Sequence, residues 1–278
     1  MAEITAELVR ELRETTNVGM MECKRALTEA GGDKDKAIRI LRERGMAVAA
    51  KKATRAANQG LIGTALLEGG KAGVLVEVNS ETDFVARNEG FQAFVKQVAA
   101  KALSSSGDLA ELMRDAVTAK IQEIGENIVI RRSVKFALQG EGVIASYVHL
   151  GAKVGVLLEL GCEKGATAGA DAFRDLAKDI TLHIAACTPR CLVRADVAAD
   201  VIAAEREIYA KQVQNKPAQI VNKIVDGKMN KFYQQVCLVE QGFVKDPEKT
   251  VTQVMDEKAK ELGDKLTIRR FVRCQLGE

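Results

Sequence analysis

Sliding the chain against itself by 82 residues brings two segments into register, and this internal repeat limits the possible folds more than any other feature. Gly60-Leu61-Ile62 falls on Gly142-Val143-Ile144. Gly73-Val74-Leu75-Val76-Glu77-Val78 falls on Gly155-Val156-Leu157-Leu158-Glu159-Leu160, and Phe91 and Lys96 fall on Phe173 and Lys178 in the segment that follows. Each copy reads as two strands and then a helix, with Glu68-Gly69-Gly70 as the first turn and aliphatic and β-branched residues filling the strands. The expected fold class is α+β, a duplicated core in which each half lays a helix on a small antiparallel sheet.

Helical patterns flank and interrupt this core. Thr5 caps a first helix with Leu8 and Leu12 on one face, and Thr16-Asn17-Val18-Gly19 makes a turn. A second helix runs from about Met20 to Ala30, Gly31-Gly32 stops it, and Asp33 caps a third that carries Ala37, Ile38 and Leu41 and is expected to end at Gly45. Ala198 to Gln214 and Pro217 to about Gln235 form a helical hairpin broken at Asn215-Lys216-Pro217. Then come a strand-like Cys237-Leu238-Val239, a helix starting at Pro247 and a last strand from Thr267 to Cys274. The domains are therefore expected to be a three-helix bundle at 1–54, one core half at 55–140, the other at 141–186 with 229–278, and an inserted hairpin at 187–228. The hairpin stripe of Val201, Ile202, Ile208, Val213 and Ile220 points either to self-association as a homodimer or to two arms covering each other.

Charge and motifs exclude more than they suggest. The net charge is +3 and residues 1 to 55 account for the whole excess, while aromatics are 4% with no Trp, so a direct nucleic-acid partner is not expected. No GxxxxGK[ST] cradle exists, since Gly70-Lys71 is followed by Ala72, and the chain does not read as a nucleotide hydrolase. There is no GxSxG or HExxH motif, and with only His149 and His183 neither a catalytic triad nor a metal site is expected; no cofactor is called for. His183 reads as a packing or surface histidine, whereas His149, at a strand end beside Gly151, suits an interface or plain packing equally. Glu77 and Glu81 read as residues of a solvated face. The six cysteines, Cys187 and Cys191 among them, read as free thiols. An N-terminus of alternating acids and bases and the short apolar runs point to a cytoplasmic chain without membrane spans.

The copies part in the loop after the second strand, where Asn79-Ser80-Glu81-Thr82-Asp83-Phe84 faces Gly161-Cys162-Glu163-Lys164-Gly165-Ala166. A Phe near a loop tip more often folds back onto its own core, but Phe91 and Phe94 already supply aromatics to that half, which weakens that reading for Phe84 and makes this loop the first place to look for a binding tip.

Leu12 to Leu27, with Thr16-Asn17-Val18-Gly19-Met20-Met21 at its centre, and Glu77-Val78-Asn79-Ser80-Glu81-Thr82-Asp83-Phe84-Val85-Ala86-Arg87 resemble two signatures of the elongation factor Ts family. Ile124-Gly125-Glu126-Asn127-Ile128-Val129-Ile130-Arg131-Arg132 is similar to a third stretch. The resemblance runs in order along nearly the whole chain. It implies a non-enzymatic exchange factor that opens the nucleotide site of elongation factor Tu. It further implies that Thr82, Asp83, Phe84 and Val85 form a wedge near the partner's Mg²⁺ site. Leu12, Met20, Met21 and Lys51 would meet the partner from the bundle, and Ile124, Gly125 and His149 from the core. Met20 and Met21 are adjacent on a helix and cannot both face inward, so one is expected at the surface. A bundle with Val18-Gly19-Met20 in its first turn also resembles the ubiquitin-associated fold, which leaves an adaptor as the rival reading, since a fold alone fixes no ligand.

Overall fold

The computed structural model describes residues 4–16, 18–213 and 217–278; Asn17 of the expected first turn and Asn215-Lys216 of the expected hairpin break lie outside the described residues. The chain is α+β. Three helices come first, α1 (Ala6–Thr16), α2 (Met20–Glu29) and α3 (Lys34–Lys52). The first core half follows as β1 (Gln59–Leu66), β2 (Ala72–Ser80), α4 (Asp83–Ala86), α5 (Glu89–Ser104), α6 (Leu109–Leu112), α7 (Arg114–Ile124) and β3 (Ile128–Ala137). Next are β4 (Gly142–Val148), β5 (Val154–Cys162), α8 (Gly165–Gly169), α9 (Asp171–Cys187), α10 (Ala199–Lys211) and α11 (Ala218–Val236). The chain closes with β6 (Gly242–Phe243), β7 (Asp246–Thr250), α12 (Val251–Leu262) and β8 (Leu266–Gln275).

In the N-terminal bundle Thr5 Oγ1 accepts from Leu8 N at 3.2 Å and Asp33 Oδ1 from Lys36 N at 3.0 Å, so both expected caps form. Gly45 does not end α3, which runs on to Lys52. It is instead a close-approach position, where a Cβ would lie 2.6 Å from Gln122 Oε1 of α7. The bundle thereby sits directly against the first core half, with an Arg42–Asp115 ion pair at 2.6 Å beside the contact.

The two three-stranded antiparallel sheets have orders β1-β2-β3 and β4-β5-β8. Their registers match. Glu77 stands between Ile62 and Arg132, Glu159 between Ile144 and Arg270, and each central strand shifts register at the next residue. β3 escaped the two-strand reading because it carries Arg131, Ser133 and Lys135 on exposed positions, whereas β8 is the last strand expected from Thr267 to Cys274 and proves to be the third strand of the second sheet. Phe91 and Phe94 of α5 and Phe173 of α9 are buried against their own sheets.

A separate cluster, Ile62, Leu75, Phe136, Ile144, Leu157 and Cys274, fills the space between the sheets. Gly73 and Gly155 allow this approach: a Cβ on Gly73 would lie 2.8 Å from Ile144 Cγ2, and one on Gly155 would lie 2.5 Å from Ile62 Cγ2.

Glu77 is not on a solvated face, and neither is Glu159; both are fully buried in their central strands. A buried carboxylate is tolerated only when paired and hydrogen-bonded. Glu77 pairs with Arg132 Nε at 2.6 Å and accepts from Gly277 N at 3.1 Å, while Glu159 pairs with Arg270 Nε at 2.7 Å and accepts from Gln139 N at 2.7 Å. The arginines cross between halves in the same way: Arg132 Nη2 donates to Gln275 O at 2.6 Å and Arg270 Nη2 to Ala137 O at 2.8 Å.

The helical arms α10 and α11 pack Ile202 and Val213 against Val225 and Met229. At their base the backbone of Cys237 pairs with that of Cys191 as an isolated β-bridge, both thiols being free, and leads into a 3₁₀ turn, Leu238–Glu240, rather than a strand. Pro247 lies in β7 rather than at a helix start. The last helix starts at Val251 because Thr250 and Gln253 form a reciprocal capping box. His183 is the packing histidine of the two expected options. Its ring is fully buried against Phe243, its Nδ1 accepts from Val244 N at 3.1 Å, and its Nε2, left as the donor, reaches Gln241 Oε1 at 2.9 Å. Among the described residues no helix is long and apolar enough to cross a membrane.

Two tests follow from this packing. Glu159→Ala takes the buried carboxylate away from the partly exposed Arg270 and from the Gln139 N–H, and urea unfolding should report a loss of about 1–3 kcal/mol, against less than about 0.5 kcal/mol for the exposed Glu68→Ala. Burial lowers the His183 pKa below its ordinary 6.5, so its contribution to stability is fully present above about pH 6.5. That contribution drains away as pH falls through the depressed folded value. Between about pH 6.5 and 5 the unfolding free energy should decline in wild type, with that part of the slope absent in His183→Gln.

Candidate partner-docking site

The divergent loop is not a coil but a short helix, α4, held at both ends. Thr82 presents its N–H and hydroxyl to Glu126, at 3.0 Å to Oε2 and 2.7 Å to Oε1. Its carbonyl accepts from Ser80 Oγ at 3.0 Å. On the far side Asn88 Oδ1 accepts from Phe91 N at 3.1 Å and starts α5. Between these anchors Val85 and Ala86 turn into the core. Phe84 is forced outward and is 77% exposed. Asp83 is a half-exposed carboxylate paired with Arg87 Nη2 at 2.9 Å, one helical turn away.

Glu126 belongs to a second fixed segment. α7 ends on Gly125 in the left-handed conformation, φ +86°, and Lys52 Nζ of α3 donates to the Gly125 carbonyl. Asn127 N donates to Glu81 Oε1 at 2.7 Å and Asn127 Nδ2 to Arg55 O at 2.8 Å. The bundle's last helix, the end of α7 and the Phe84 helix are thus joined by one polar network. Glu126 and Asn127 are the residues the sequence reading missed as site builders. The signal was their place directly after Ile124-Gly125.

Opposite α4, across a cleft of about 590 Å³ that Asp83 and Arg87 line, stands the turn between β4 and β5. This turn comes from the second half but is tied to the first, because Ala152 O accepts from Ile62 N at 2.7 Å. His149 is exposed at its start, with Tyr147 Oη 3.1 Å from its Nδ1. Leu150 at its tip is 91% exposed, a bare apolar side chain that the sequence reading passed over between His149 and Gly151.

The remaining sequence-predicted residues fall in three groups. Met20 and Met21 are both exposed, at 43% and 64%, because α2 buries Cys23, Ala26 and Leu27 instead. Lys51 and Gly125 are exposed and Ile124 is half-buried. Leu12 is fully enclosed among the three helices, so it shapes the bundle and cannot itself touch a partner.

Fold and site together have the form of a docking surface: bare apolar tips at Phe84 and Leu150 flank an open cleft. The family described as Elongation factor TS matches residues 81–278. Elongation factor Ts of Trichlorobacter lovleyi is 45% identical over 99% of this chain and 93% of its own, and that of Clostridium botulinum strain Eklund 17B is likewise 45% identical over 99% and 93%. The protein of the same name from Nitratiruptor sp. is 45% identical with the same coverage. The chain belongs to the elongation factor Ts family, the non-enzymatic nucleotide-exchange factors that serve elongation factor Tu in translation elongation.

Proposed function

We propose that this chain accelerates GDP release from elongation factor Tu by seating Phe84 in an apolar groove of the GTPase. On this reading Asp83 is brought beside the groups that position Mg²⁺ and the nucleotide phosphates. The observation that carries the reading is Phe84 itself, an aromatic side chain held outside every core of its own protein by a helix with two anchored ends. Burying it on a partner is worth roughly 1.5–3 kcal/mol, one to two powers of ten in affinity at about 1.4 kcal/mol each. If that gain is larger for the nucleotide-free partner, linkage requires the nucleotide to bind more weakly by the same factor.

Thr82 and Val85 set the tip; Leu150 and His149 offer a second contact from the facing turn. Ile124 and Gly125 border the network behind it. Met20, Met21 and Lys51 extend the surface onto the bundle, residues 1–54, which supplies affinity more than the exchange step. The bundle's three-helix form suits the ubiquitin-associated type, here turned to this partner. The core is read as two duplicated halves at 55–140 and at 141–186 with 229–278, and the arms of 187–228 as an insertion. No resident cofactor, nucleic acid or membrane enters this mechanism, which suits a factor working in the cytoplasm.

Release of labelled GDP from elongation factor Tu tests the wedge. Phe84→Ala should slow stimulated release by about tenfold or more while costing less than about 1 kcal/mol of stability, as surface substitutions do. Asp83→Ala should also slow it, with an altered dependence on Mg²⁺, and a chain lacking 1–54 should need higher concentrations but still act. Wild-type release by Phe84→Ala, or no release at saturating truncated chain, would defeat these assignments.

The arms α10 and α11 leave Val201, Ile208 and Ile220 at 37%, 48% and 48% exposure, which supports reading their outer face as a homodimer contact. Replacing the arms with a short Gly/Ser link should then lower the sedimenting mass to that of one chain. An unchanged mass would remove the association.

A further inference from the structure

The two halves use the cation at one matched position of their third strand differently. β3 and β8 each pair on one side only, so alternate N–H and C=O groups along each outer side lack a strand partner. In the first half Lys135 is spent on the end of α5, where its Nζ donates to Ala102 O at 3.3 Å, Leu103 O at 2.5 Å and Ser105 O at 3.0 Å. Arg273 holds the same register position in the second half, opposite Val156 as Lys135 is opposite Val74. There the carbonyl at the end of α9 is already served, since Gln241 Nε2 donates to Cys187 O at 3.1 Å. Arg273 is left with Gln275 Oε1 at 2.9 Å and a long 3.7 Å approach to Glu278. Its side chain is only 13% exposed and its Nε is buried with no hydrogen-bond partner among the described residues.

Beside Arg273 lies a groove of about 500 Å³ between β8 and the segment 189–193, lined by Arg190, Arg269, Arg270 and Arg273 against the single carboxylate of Asp196. Glu159 pairs with both Arg269 and Arg270 and offsets one of their two charges. Asp196 is engaged by Val193 N at 3.1 Å. The groove therefore keeps a positive excess at Arg190 and Arg273. We propose that it takes an extended acidic peptide segment of another protein as an added strand along β8. The incoming backbone meets the outer N–H and C=O groups of the edge, and its carboxylates meet Arg273 and Arg190. A single strand of nucleic acid offers the charge but not the main-chain ladder. The groove's one aromatic, Phe271, packs into the second half's core and gives no stacking platform. This site lies apart from the cleft beside Phe84 and does not depend on the exchange mechanism.

The test uses the full chain and a fluorescein-labelled peptide of alternating Glu and Val, as long as β8, with a Gln-Val peptide and oligouridylate as competitors. Anisotropy should show saturable binding of the acidic peptide, weakening with salt. It should fall about tenfold or more in Arg190→Gln/Arg273→Gln, with amide shifts confined to 189–193 and 269–273 and GDP release unchanged. Should that variant unfold, Arg190→Glu supplies the second measurement, and it should lose the Glu-Val peptide and gain a Lys-Val one. Equal affinity for Gln-Val, wild-type affinity in the variants, or tighter binding of oligouridylate would overturn the proposal.

Discussion

Glu77 and Glu159 are each withdrawn from water in the middle of a sheet, and neither is satisfied by its own half alone. Glu77 draws its last hydrogen bond from Gly277 at the end of the second half, Glu159 from Gln139 at the end of the first. Their arginine partners reach across to the opposite third strand. Pulling the sheets apart would break these hydrogen bonds and expose the apolar cluster between the sheets to water, a penalty of several kcal/mol. The two sheets consequently behave as one rigid body. That rigidity is what the candidate site requires, because one wall of its cleft comes from α4 in the first half and the other from the β4–β5 turn in the second.

The sequence exposed the parts of this arrangement that are local or repeated. Strand pairs, the α5 and α9 helices, the caps at Thr5 and Asp33 and the outward Phe84 all follow from spacing or from comparing one copy with the other. What stayed hidden depended on partners distant in the chain. A Glu within Val-Leu-Val-Glu-Val looks solvated until Arg132 and Gly277 are known to lie beside it. Gly45 looks like a stop until Gln122 is seen against it. Leu12 looks like a contact residue until three helices close over it. Glu126 and Asn127 were visible as letters, but their work consists of hydrogen bonds to Glu81, Thr82 and Arg55, which no periodicity encodes.

The exposed residues of the site differ in how much freedom they keep, and this orders their roles. Met20 and Met21 are long, unbranched side chains on a surface helix and would lose rotamer freedom on the proposed docking, so they suit an adaptable contact that adds affinity. Phe84 has few rotamers. Its backbone is fixed by Thr82 on Glu126 and by the buried Val85 and Ala86 on either side of the tip. A tip that is already ordered gives up little entropy on binding, so more of its burial energy is available to strain the partner. On the proposed reading, a wedge so fixed moves the groups it meets rather than yielding to them. The polar network that links α3, the end of α7 and Thr82 would then pass the load on the tip back to the bundle and the first sheet.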